Sequence, residues 1–468
     1  ATLGGLILNR RNVKNEEEKV QELAEDVHSF DISSSYPFQM MVRKYPVYKW
    51  FKISRERFRE YLIGGEYALL IHVVYQGVKY TGSCGNPYIS ISKCVHKEGV
   101  INDNGRVISA DYCECYITDL DFKIIEHDYS IEKTFIDVVY ASKYDYLPDE
   151  FRRTVISYFK AKTQLKGVKG SEYEYMKSKN KLNSSYGMCV TDVAKPNWIY
   201  ENGEFKKQED SLEELLYKFY KSRNSFLPYQ WGVWVSAWAR AEIMSVLLDI
   251  AAIGGREHNG IAYNRKVLYA DTDCVKWFGL GAEAFAVVER YNNKKRAQLE
   301  TFCKRRNIGA EWLRGLGELD LETYTHFRAV GMKQYAEVQI IDGKPEFDYH
   351  ISGLPRINPV ENEDGTKENK GCTFFDKWED PSEKIEHLTA KMIIPAEESH
   401  LNGTYFIDEE RSGCITDRDG NCMHISAKSC IMIVPKSFNL KQSIIERLKT
   451  TDPDALRVSA QRNYGGVF

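Results

Sequence analysis

Apolar and polar residues alternate along several stretches of the chain, and this alternation is typical of half-buried β-strands. Between residues 47 and 147 the pattern predicts strands at Tyr67–Tyr80, Tyr112–Ile125 and Phe135–Ala141, separated by Gly, Asn and Asp residues. The charged stretch Glu16–Asp26 is predicted to be helical and to lead into a short strand that carries Asp31. The first third of the chain is therefore predicted to consist mainly of β-structure.

The apolar spacing becomes helical after Pro148. Asp149 and Glu150 occupy the first turn of the predicted helix, where acidic side chains complement the helix dipole. A turn near Gly167–Gly170 separates this helix from a second one that contains Lys179. The apolar residues that share one face of the first helix are Phe151, Val155, Ile156 and Phe159.

The second half of the chain contains weaker signals. Asn202-Gly203, flanked by Trp198 and Phe205, predicts a β-hairpin. The polar stretch 358–371 is interpreted as a linker, residues 372–440 as strands, and Lys441–Lys449 as a short helix.

Asp271 and Asp273 lie between two short apolar runs, Val267–Tyr269 and Val275–Phe278. Strand, acidic tip and strand predict a hairpin that brings both carboxylates to one place. Like charges held so close repel unless a cation lies between them, and Mg²⁺ is the usual cation for oxygen ligands. An ordinary surface turn remains the alternative for this segment taken alone.

Two further segments supply groups that would complete a phosphoryl-transfer site. In Phe30-Asp31-Ile-Ser-Ser-Ser-Tyr36-Pro37, an aspartate ends an apolar stretch and a tyrosine follows a serine turn. Lys179, Asn183, Tyr186 and Gly187 recur at helical spacing and therefore share one helix face. Such a face could hold phosphates through its lysine and let a base pair approach over its glycine. Taken singly, the aspartate could be a helix cap, the lysine a solvated charge and the glycine a helix stop.

The three segments resemble the A, B and C motifs of family B DNA polymerases, whose patterns are Asp-x-x-Ser-Leu-Tyr-Pro, Lys-x-x-x-Asn-Ser-x-Tyr-Gly and Tyr-x-Asp-Thr-Asp-Ser. Gly331-Met-Lys333-Gln-Tyr335 is similar to the Lys-x-Tyr motif of that family, and Trp234–Arg240 to its palm helix. The most similar subset is the protein-primed group of phages, adenoviruses and linear plasmids. Ser35 and Cys274 depart from the usual leucine and serine, but both are small and uncharged.

The resemblance implies an α+β right-hand polymerase fold. Its parts would be a palm of antiparallel sheet plus helices, two-helix fingers, a β-rich thumb and two insertions. The implied boundaries are 1–46 for the first part of the palm, 47–147 for an insertion that contacts terminal protein and DNA, 148–190 for the fingers, 191–229 for a second, hairpin insertion, 230–360 for the rest of the palm, and 361–468 for the thumb.

The resemblance also implies template-directed addition of dNTPs to a 3′-hydroxyl on primer-template DNA. Asp31, Asp271 and Asp273 would be the catalytic carboxylates, and two Mg²⁺ ions, or Mn²⁺, would be held by Asp31, Asp273 and the Ile32 carbonyl. The nucleotide would be bound by Ile32, Tyr36, Lys160, Lys162, Lys179, Asn183 and Tyr186. DNA would be bound by Gly4, Gly5, Gly187, Lys333 and Tyr335. Tyr36 would lie beneath the sugar and exclude a 2′-hydroxyl.

Two alternatives stay open at the level of sequence. A reverse transcriptase also uses paired aspartates on a palm, but its tip reads Tyr-x-Asp-Asp, without a residue such as Thr272 between the acids. A scaffold that binds terminal protein or DNA without chemistry is the other alternative, although the carboxylates and Lys179 are all present.

Charge and cysteine content refine this interpretation. The net charge is −3, so any phosphate-binding charge must be local, and residues 151–183 hold nine Lys/Arg against two Glu. The 11 cysteines are irregularly spaced, which indicates reduced thiols and a cytoplasmic protein. The protein is also expected to be a monomer and not to bind a membrane. Cys84, Cys94, His96, Cys113 and Cys115 suggest zinc, but their spacing matches no common finger. No apolar run reaches the length of a membrane span.

A proofreading nuclease is not expected within these residues. In the family, an exonuclease with its own metal-binding carboxylates precedes the polymerase, and Gly4-Gly5 resembles the end of the linker motif Tyr-x-Gly-Gly that joins the two. The Asp-x-Glu pattern of Asp320-Leu-Glu322 lies after the palm carboxylates and is interpreted as structural.

Overall fold

The computed structural model describes residues 6–7, 23–81, 87–103, 105–191, 197–201, 204–208, 211–221, 228–254, 256–258, 261–263, 266–309, 313–331, 333–357, 359–361, 367–369, 371–389, 392–400, 402–407, 411–416, 422–427, 430–435 and 438–440. The helices of these residues are α1 (Ser35–Val42), α2 (Phe58–Gly64), α3 (Asp119–Asp128), α4 (Asp149–Leu165), α5 (Glu172–Cys189), α6 (Leu212–Lys221), α7 (Tyr229–Ala251), α8 (Gly281–Arg306), α9 (Pro381–Glu386) and α10 (Ala396–Ser399). Short 3₁₀ turns lie at Ile91–Lys93 and Phe374–Lys377.

The strands of the same residues are β1 (Leu6–Ile7), β2 (Ala24–Ile32), β3 (Lys44–Pro46), β4 (Phe51–Ile53), β5 (Tyr67–Tyr80), β6 (Cys94–Glu98), β7 (Ile101–Asp103), β8 (Arg106–Thr118), β9 (Tyr129–Tyr146), β10 (Asn197–Glu201), β11 (Glu204–Gln208), β12 (Arg256–His258), β13 (Ile261–Tyr263), β14 (Val267–Asp271), β15 (Cys274–Phe278), β16 (Leu319–Gly331), β17 (Gln334–Ile341), β18 (Lys344–Ile351), β19 (Pro359–Glu361), β20 (Lys367–Asn369), β21 (Ile393–Ile394), β22 (Asn402–Ile407), β23 (Arg411–Thr416), β24 (Cys422–Ala427), β25 (Cys430–Pro435) and β26 (Phe438–Asn439).

A seven-stranded antiparallel sheet, the central sheet, has the order β1-β14-β15-β2-β16-β17-β18. Alternate residues of β2 and β15, such as Phe30, Ile32 and Trp277, are buried against α7 and α8. Because successive strand residues point to opposite faces, Asp31 and Cys274 lie on the other face. The apolar alternation of the sequence thus places the acidic residues on one face of the sheet.

A second sheet, the insertion sheet, has the order β3-β9-β5-β8-β6, with β4 and β7 attached to β9 and β8. The strand predicted at Tyr67–Tyr80 is β5. The strand predicted at Tyr112–Ile125 is wrong beyond Thr118, because α3 begins there. Thr118 and Asp121 form a capping box, in which each side chain accepts a hydrogen bond from the backbone of the other. β3, which lies within the predicted first part of the palm, pairs with β9.

The predicted helix pair is present as α4 and α5, joined by a turn in which Gly167 and Gly170 have φ of 76° and 83°. These angles suit glycine, which has no Cβ to clash. Val155, Ile156 and Phe159 of α4 pack with residues of α1 and α7 in one apolar cluster. The α4–α5 pair therefore lies beside α1, the helix that follows β2 of the central sheet.

Several predictions for the rest of the chain need correction. Residues 24–26, predicted to be helical, belong to β2, because pairing with β16 overrides local charge. The linker at 358–371 contains the short strand pair β19–β20. The stretch from 372 to 400 is mostly short helical turns around a core that includes Phe375, Ile385 and Leu388. The helix predicted at Lys441–Lys449 lies outside the described residues.

The hairpin predicted around Asn202-Gly203 is present as the antiparallel pair β10–β11. In the part of the chain that the structure describes, no helix is both long and apolar enough to cross a membrane.

Candidate active site

Asp31 and Asp273 meet at the end of the central sheet. Asp31 is the penultimate residue of β2 and pairs in register with Cys274, the first residue of β15. Between β14 and β15 the chain reverses at Thr272, whose φ is 50°. The Ile32 N–H donates to the Asp273 carbonyl oxygen at 2.9 Å. Since a strand residue directs its N–H and C=O to the same side, the Ile32 carbonyl also faces the hairpin tip.

The Asp31 and Asp273 carboxyl groups share one side-chain hydrogen bond, which lowers the pKa of Asp31 and raises the pKa of Asp273. Burial, and then the negative charge of Glu322, raise the pKa of Asp31 to about 6. Burial, and then the charge of Asp31, raise the pKa of Asp273 to about 7. Two carboxylates forced together in this way are under electrostatic strain that a divalent cation would relieve. The donor set, two carboxylates with a backbone carbonyl close by, suits a hard ion such as Mg²⁺.

Asp320 and Glu322 lie beside this pair, on the strand next to β2. Asp320 pairs with Asp31 across β16 and β2, and Glu322 is two residues further along the same face. Both charges act on Asp31 and help to raise its pKa. The Asp-x-Glu spacing at the start of β16 could have indicated that both acidic side chains lie on one face of the sheet, because alternate residues of a strand share a face.

Asp271 occupies a different environment from the other two carboxylates. Its Oδ2 forms an ion pair with the Lys333 ammonium at 2.9 Å, and its Oδ1 accepts from the Thr272 hydroxyl at 2.9 Å. The Lys333 N–H donates to the Tyr269 hydroxyl at 3.1 Å, and the Lys333 φ is 55°. The loop between β16 and β17 is therefore tied to the acidic hairpin by both the backbone and the side chain of one lysine.

Tyr335 extends this contact toward a buried charge cluster. Its ring lies 5.0 Å from that of Tyr269 and stacks on His350 at 4.6 Å. Beneath it, the Lys276 ammonium donates to Glu337 at 3.0 Å. Burial alone would raise the pKa of Glu337, but the hydrogen bond with His350 and the charge of Lys276 outweigh it and lower that pKa. Nothing in the sequence pattern indicated that Lys276, Glu337 and His350 would lie together beside Tyr335.

The α4–α5 helix pair presents its lysines to the same region. The Lys162 ammonium donates to the Ser34 hydroxyl at 3.0 Å, and Ser34 lies three residues after Asp31 in the chain. Burial, and then the positive charge of Lys179, lower the pKa of Lys162, whereas Asp320 acts in the opposite sense. Lys160 and Lys179 are half-buried on the same pair of helices.

Tyr36, from the segment that contains Asp31, is in direct contact with Tyr186, from the segment that contains Lys179. Their rings stack with centroids 4.3 Å apart. Asn183 and Gly187 are exposed on α5, and a Cβ at Gly187 would meet no atom within 4 Å. α5 therefore leaves an accessible surface at Asn183 and Gly187, beside the stacked rings of Tyr36 and Tyr186. Gly4 and Gly5 lie outside the described residues.

A buried polar network fixes α1, the helix that follows Asp31. Gln39 of α1 donates to Glu242 of α7, Arg43 reaches the same carboxylate at 2.9 Å, and Lys295 of α8 pairs with it. Burial, and then the charge of Arg43, lower the pKa of Lys295 to about 6. This network holds the C-terminal half of α1 against α7 and α8, and sequence reasoning missed it because its members come from three distant segments.

Comparison with known proteins is informative at the level of fold. No family model matches the sequence, and no curated protein matches it. Among solved structures, Phi29 DNA polymerase complexed with single-stranded DNA aligns with a TM-score of 0.56 and 14% identity over 94% of this chain. The ternary complex of the same polymerase with primer-template DNA and incoming nucleotides gives a TM-score of 0.54 at 14% identity over the same share. This chain spans 61% of the length of those two polymerase chains. The chain therefore has a fold like that of Phi29 DNA polymerase.

Proposed function

We propose that the protein is a DNA polymerase that adds dNTPs to a 3′-hydroxyl under the direction of a template. The observation that carries this proposal is the Asp31–Asp273 pair, whose pKa values are raised to about 6 and 7 at the end of the central sheet. Strongly perturbed carboxylates beside an accessible surface are typical of a catalytic centre. The Phi29-like fold supports the choice of reaction, although the site residues bear the argument.

Asp31, Asp273 and the Ile32 carbonyl would hold two divalent ions, Mg²⁺ or Mn²⁺. When bound, such ions lower the pKa of a primer hydroxyl and neutralise the leaving pyrophosphate. Asp271 has a supporting role, since its charge is already offset by Lys333. Lys333 would then stand next to the metals at the primer end, with Tyr335 behind it.

The triphosphate would be held from the other side. Lys162, fixed beside Ser34, and the neighbouring Lys160 and Lys179 provide three positive charges near the carboxylates. Holding the triphosphate and the primer end in line removes much of the entropic barrier to attack. Asn183, Tyr186 and Gly187 would line the base-pair surface, and Tyr36 would support the sugar.

The division into palm, fingers, thumb and two insertions, with the boundaries given above, is part of the same proposal. So is a role in protein-primed replication, with primer-template DNA, dNTPs and a terminal protein as partners. Single-stranded and primer-template DNA are bound by Phi29 DNA polymerase in the complexes named above. A monomeric, cytoplasmic enzyme fits this role.

Primer extension by Asp31→Asn and Asp273→Asn tests the assignment of the metal ligands. Each change keeps the side-chain shape but removes a charge, so we expect extension below ~1% of wild type with DNA binding retained. Asp342→Asn, in the exposed turn between β17 and β18, is the matched control and should extend normally. Appreciable extension by either active-site variant would overturn the assignment.

A further inference from the structure

Three thiols converge in the core of the insertion sheet, away from the proposed polymerase site. Cys113 and Cys115 are two residues apart on β8 and therefore point to the same face. Cys94, at the start of β6, pairs in register with Cys115. A β-bulge between Cys94 and His96 turns Cys94 inward while Val95 and His96 stay exposed.

The sulfur atoms form a compact triangle. The Sγ–Sγ distances are 3.1 Å for Cys94–Cys113 and 3.7 Å for both Cys113–Cys115 and Cys94–Cys115. All are far longer than the S–S bond of about 2.05 Å in a disulfide. Thiolates around a tetrahedral zinc ion with Zn–S bonds of about 2.3 Å lie about 3.8 Å apart. Two sides of the triangle match that value and the third is shorter.

The surroundings favour an ion rather than three independent thiols. Cys113 and Cys115 are 0% and 1% exposed and Cys94 is 9% exposed, so an ion would be reached from the side of Cys94. Lys97 pairs with Cys113 across the strands, and its positive charge acts on both Cys94 and Cys113. Among the described residues, no fourth His, Cys, Asp or Glu atom completes the group.

We propose that Cys94, Cys113 and Cys115 bind one Zn²⁺ ion as thiolates. Binding releases the three thiol protons to solvent and forms three Zn–S bonds, with no change of oxidation state. The ion fastens β6, at the edge of the insertion sheet, to β8. It is a structural site, and it stands independently of the polymerase proposal.

The test uses the full chain, purified under reducing conditions and without chelator. We expect about one zinc per chain by elemental analysis, and a sulfur-to-metal charge-transfer band when Co²⁺ replaces zinc. Zinc should also raise the melting temperature of the chelator-treated chain. Absence of both zinc and the cobalt band, or a disulfide between Cys94 and Cys113 in the freshly purified chain, would overturn the proposal.

Variants locate the site. Cys113→Ser should weaken zinc binding by at least roughly tenfold, because it removes a ligand outright. Cys189→Ser, a change at a buried cysteine outside the cluster, is the matched control and should bind zinc as wild type does. Should Cys113→Ser fail to fold, Cys94→Ser at the sheet edge provides the same comparison. Undiminished zinc in the folded variant would contradict the assignment.

Discussion

Asp31 and Asp273 oppose the stability of the metal-free fold. Both pKa values are raised above the ordinary aspartate value, so the folded chain prefers these carboxyl groups protonated. Stability that depends on their protonation is present at pH 4 and is lost as the pH rises through about 6 and 7. The carboxyl pair proposed to bind cations is therefore a local source of instability when no cation is bound.

Asp273→Asn should therefore stabilise the metal-free chain while it abolishes activity. At pH 8 we expect a gain on the order of 1 kcal/mol in the free energy of unfolding, after allowance for solvent screening. The gain should be smaller at pH 5 and should vanish only below about pH 3.8, the ordinary aspartate pKa, where the folded and the unfolded wild-type chains are both protonated. Thermal or urea unfolding in chelator at the two pH values, with Asp342→Asn as the control, measures this. Equal stability of Asp273→Asn and wild type at pH 8 would refute the electrostatic account.

Tyr36 is expected to select deoxyribonucleotides. Its ring is held against Tyr186 at 4.3 Å and so offers a fixed wall rather than a mobile side chain. Tyr36→Ala should raise the relative incorporation of ribonucleotides, measured as the ratio of kcat/KM for rNTP and dNTP. Tyr140→Ala, on the exposed face of the insertion sheet, should leave that ratio unchanged. An unaltered ratio in Tyr36→Ala would remove this role.

The position of a single site residue could be predicted from the sequence where a short run of neighbouring residues determines which side chains lie together. The hairpin that carries Asp271 and Asp273 could be predicted because these residues lie between two apolar strand runs, whereas their meeting with Asp31 was implied only by the resemblance to family B polymerases. The proximity of Asp320 and Glu322 to Asp31 was not predicted, because it arises only through the pairing of β2 with β16. Cross-strand neighbours depend on register, and register is a property of the assembled sheet.

Among elements, the two hairpins β14–β15 and β16–β17 act as a unit through Lys333. Tyr269→Phe removes the hydroxyl that accepts from the Lys333 N–H and leaves the ring packing in place. The loss of about 1 kcal/mol for this hydrogen bond should weaken use of a limiting primer roughly fivefold. Steady-state extension at varied primer concentration measures the KM, and Tyr140→Phe is the control. A primer KM equal to that of wild type would show that the contact does not position the primer end.

The hairpin β10–β11 is the element proposed to separate a downstream duplex. Deletion of Asn197–Gln208 should shorten products and stall synthesis at duplex DNA, because nothing would then divide the two strands. Addition of a single nucleotide on an open template should persist and serves as the internal control. Equal strand displacement by the deletion variant would exclude this role.

Elements were predictable where local chemistry and packing agree. The helix pair α4–α5 has an acidic first turn, an apolar stripe and glycines in the turn, and the structure has both helices. The extension of β8 into Asp119–Ile125 failed because the Thr118–Asp121 capping box outweighed the apolar alternation. Residues 372–400 failed because short helical turns around one apolar cluster leave no periodic signal.

For the whole molecule, the fold follows from which strands pair across long distances. β2 lies between β15 and β16, so the carboxylates of three separate segments share the end of one sheet. The sequence alone suggested this arrangement only through the resemblance of its motifs to those of family B polymerases. The likeness to Phi29 DNA polymerase supports that arrangement at the level of fold.

The end of the central sheet that carries Asp31 and Asp273 is proposed to carry out templated nucleotidyl transfer. The most direct measurement is extension of a labelled DNA primer on DNA templates that differ at the first unpaired base, with each dNTP supplied singly. We expect that only the complementary dNTP is added, that chelator abolishes addition and Mg²⁺ restores it, and that Asp273→Asn adds none. Addition that ignores the template base, or that persists in Asp273→Asn, would contradict it.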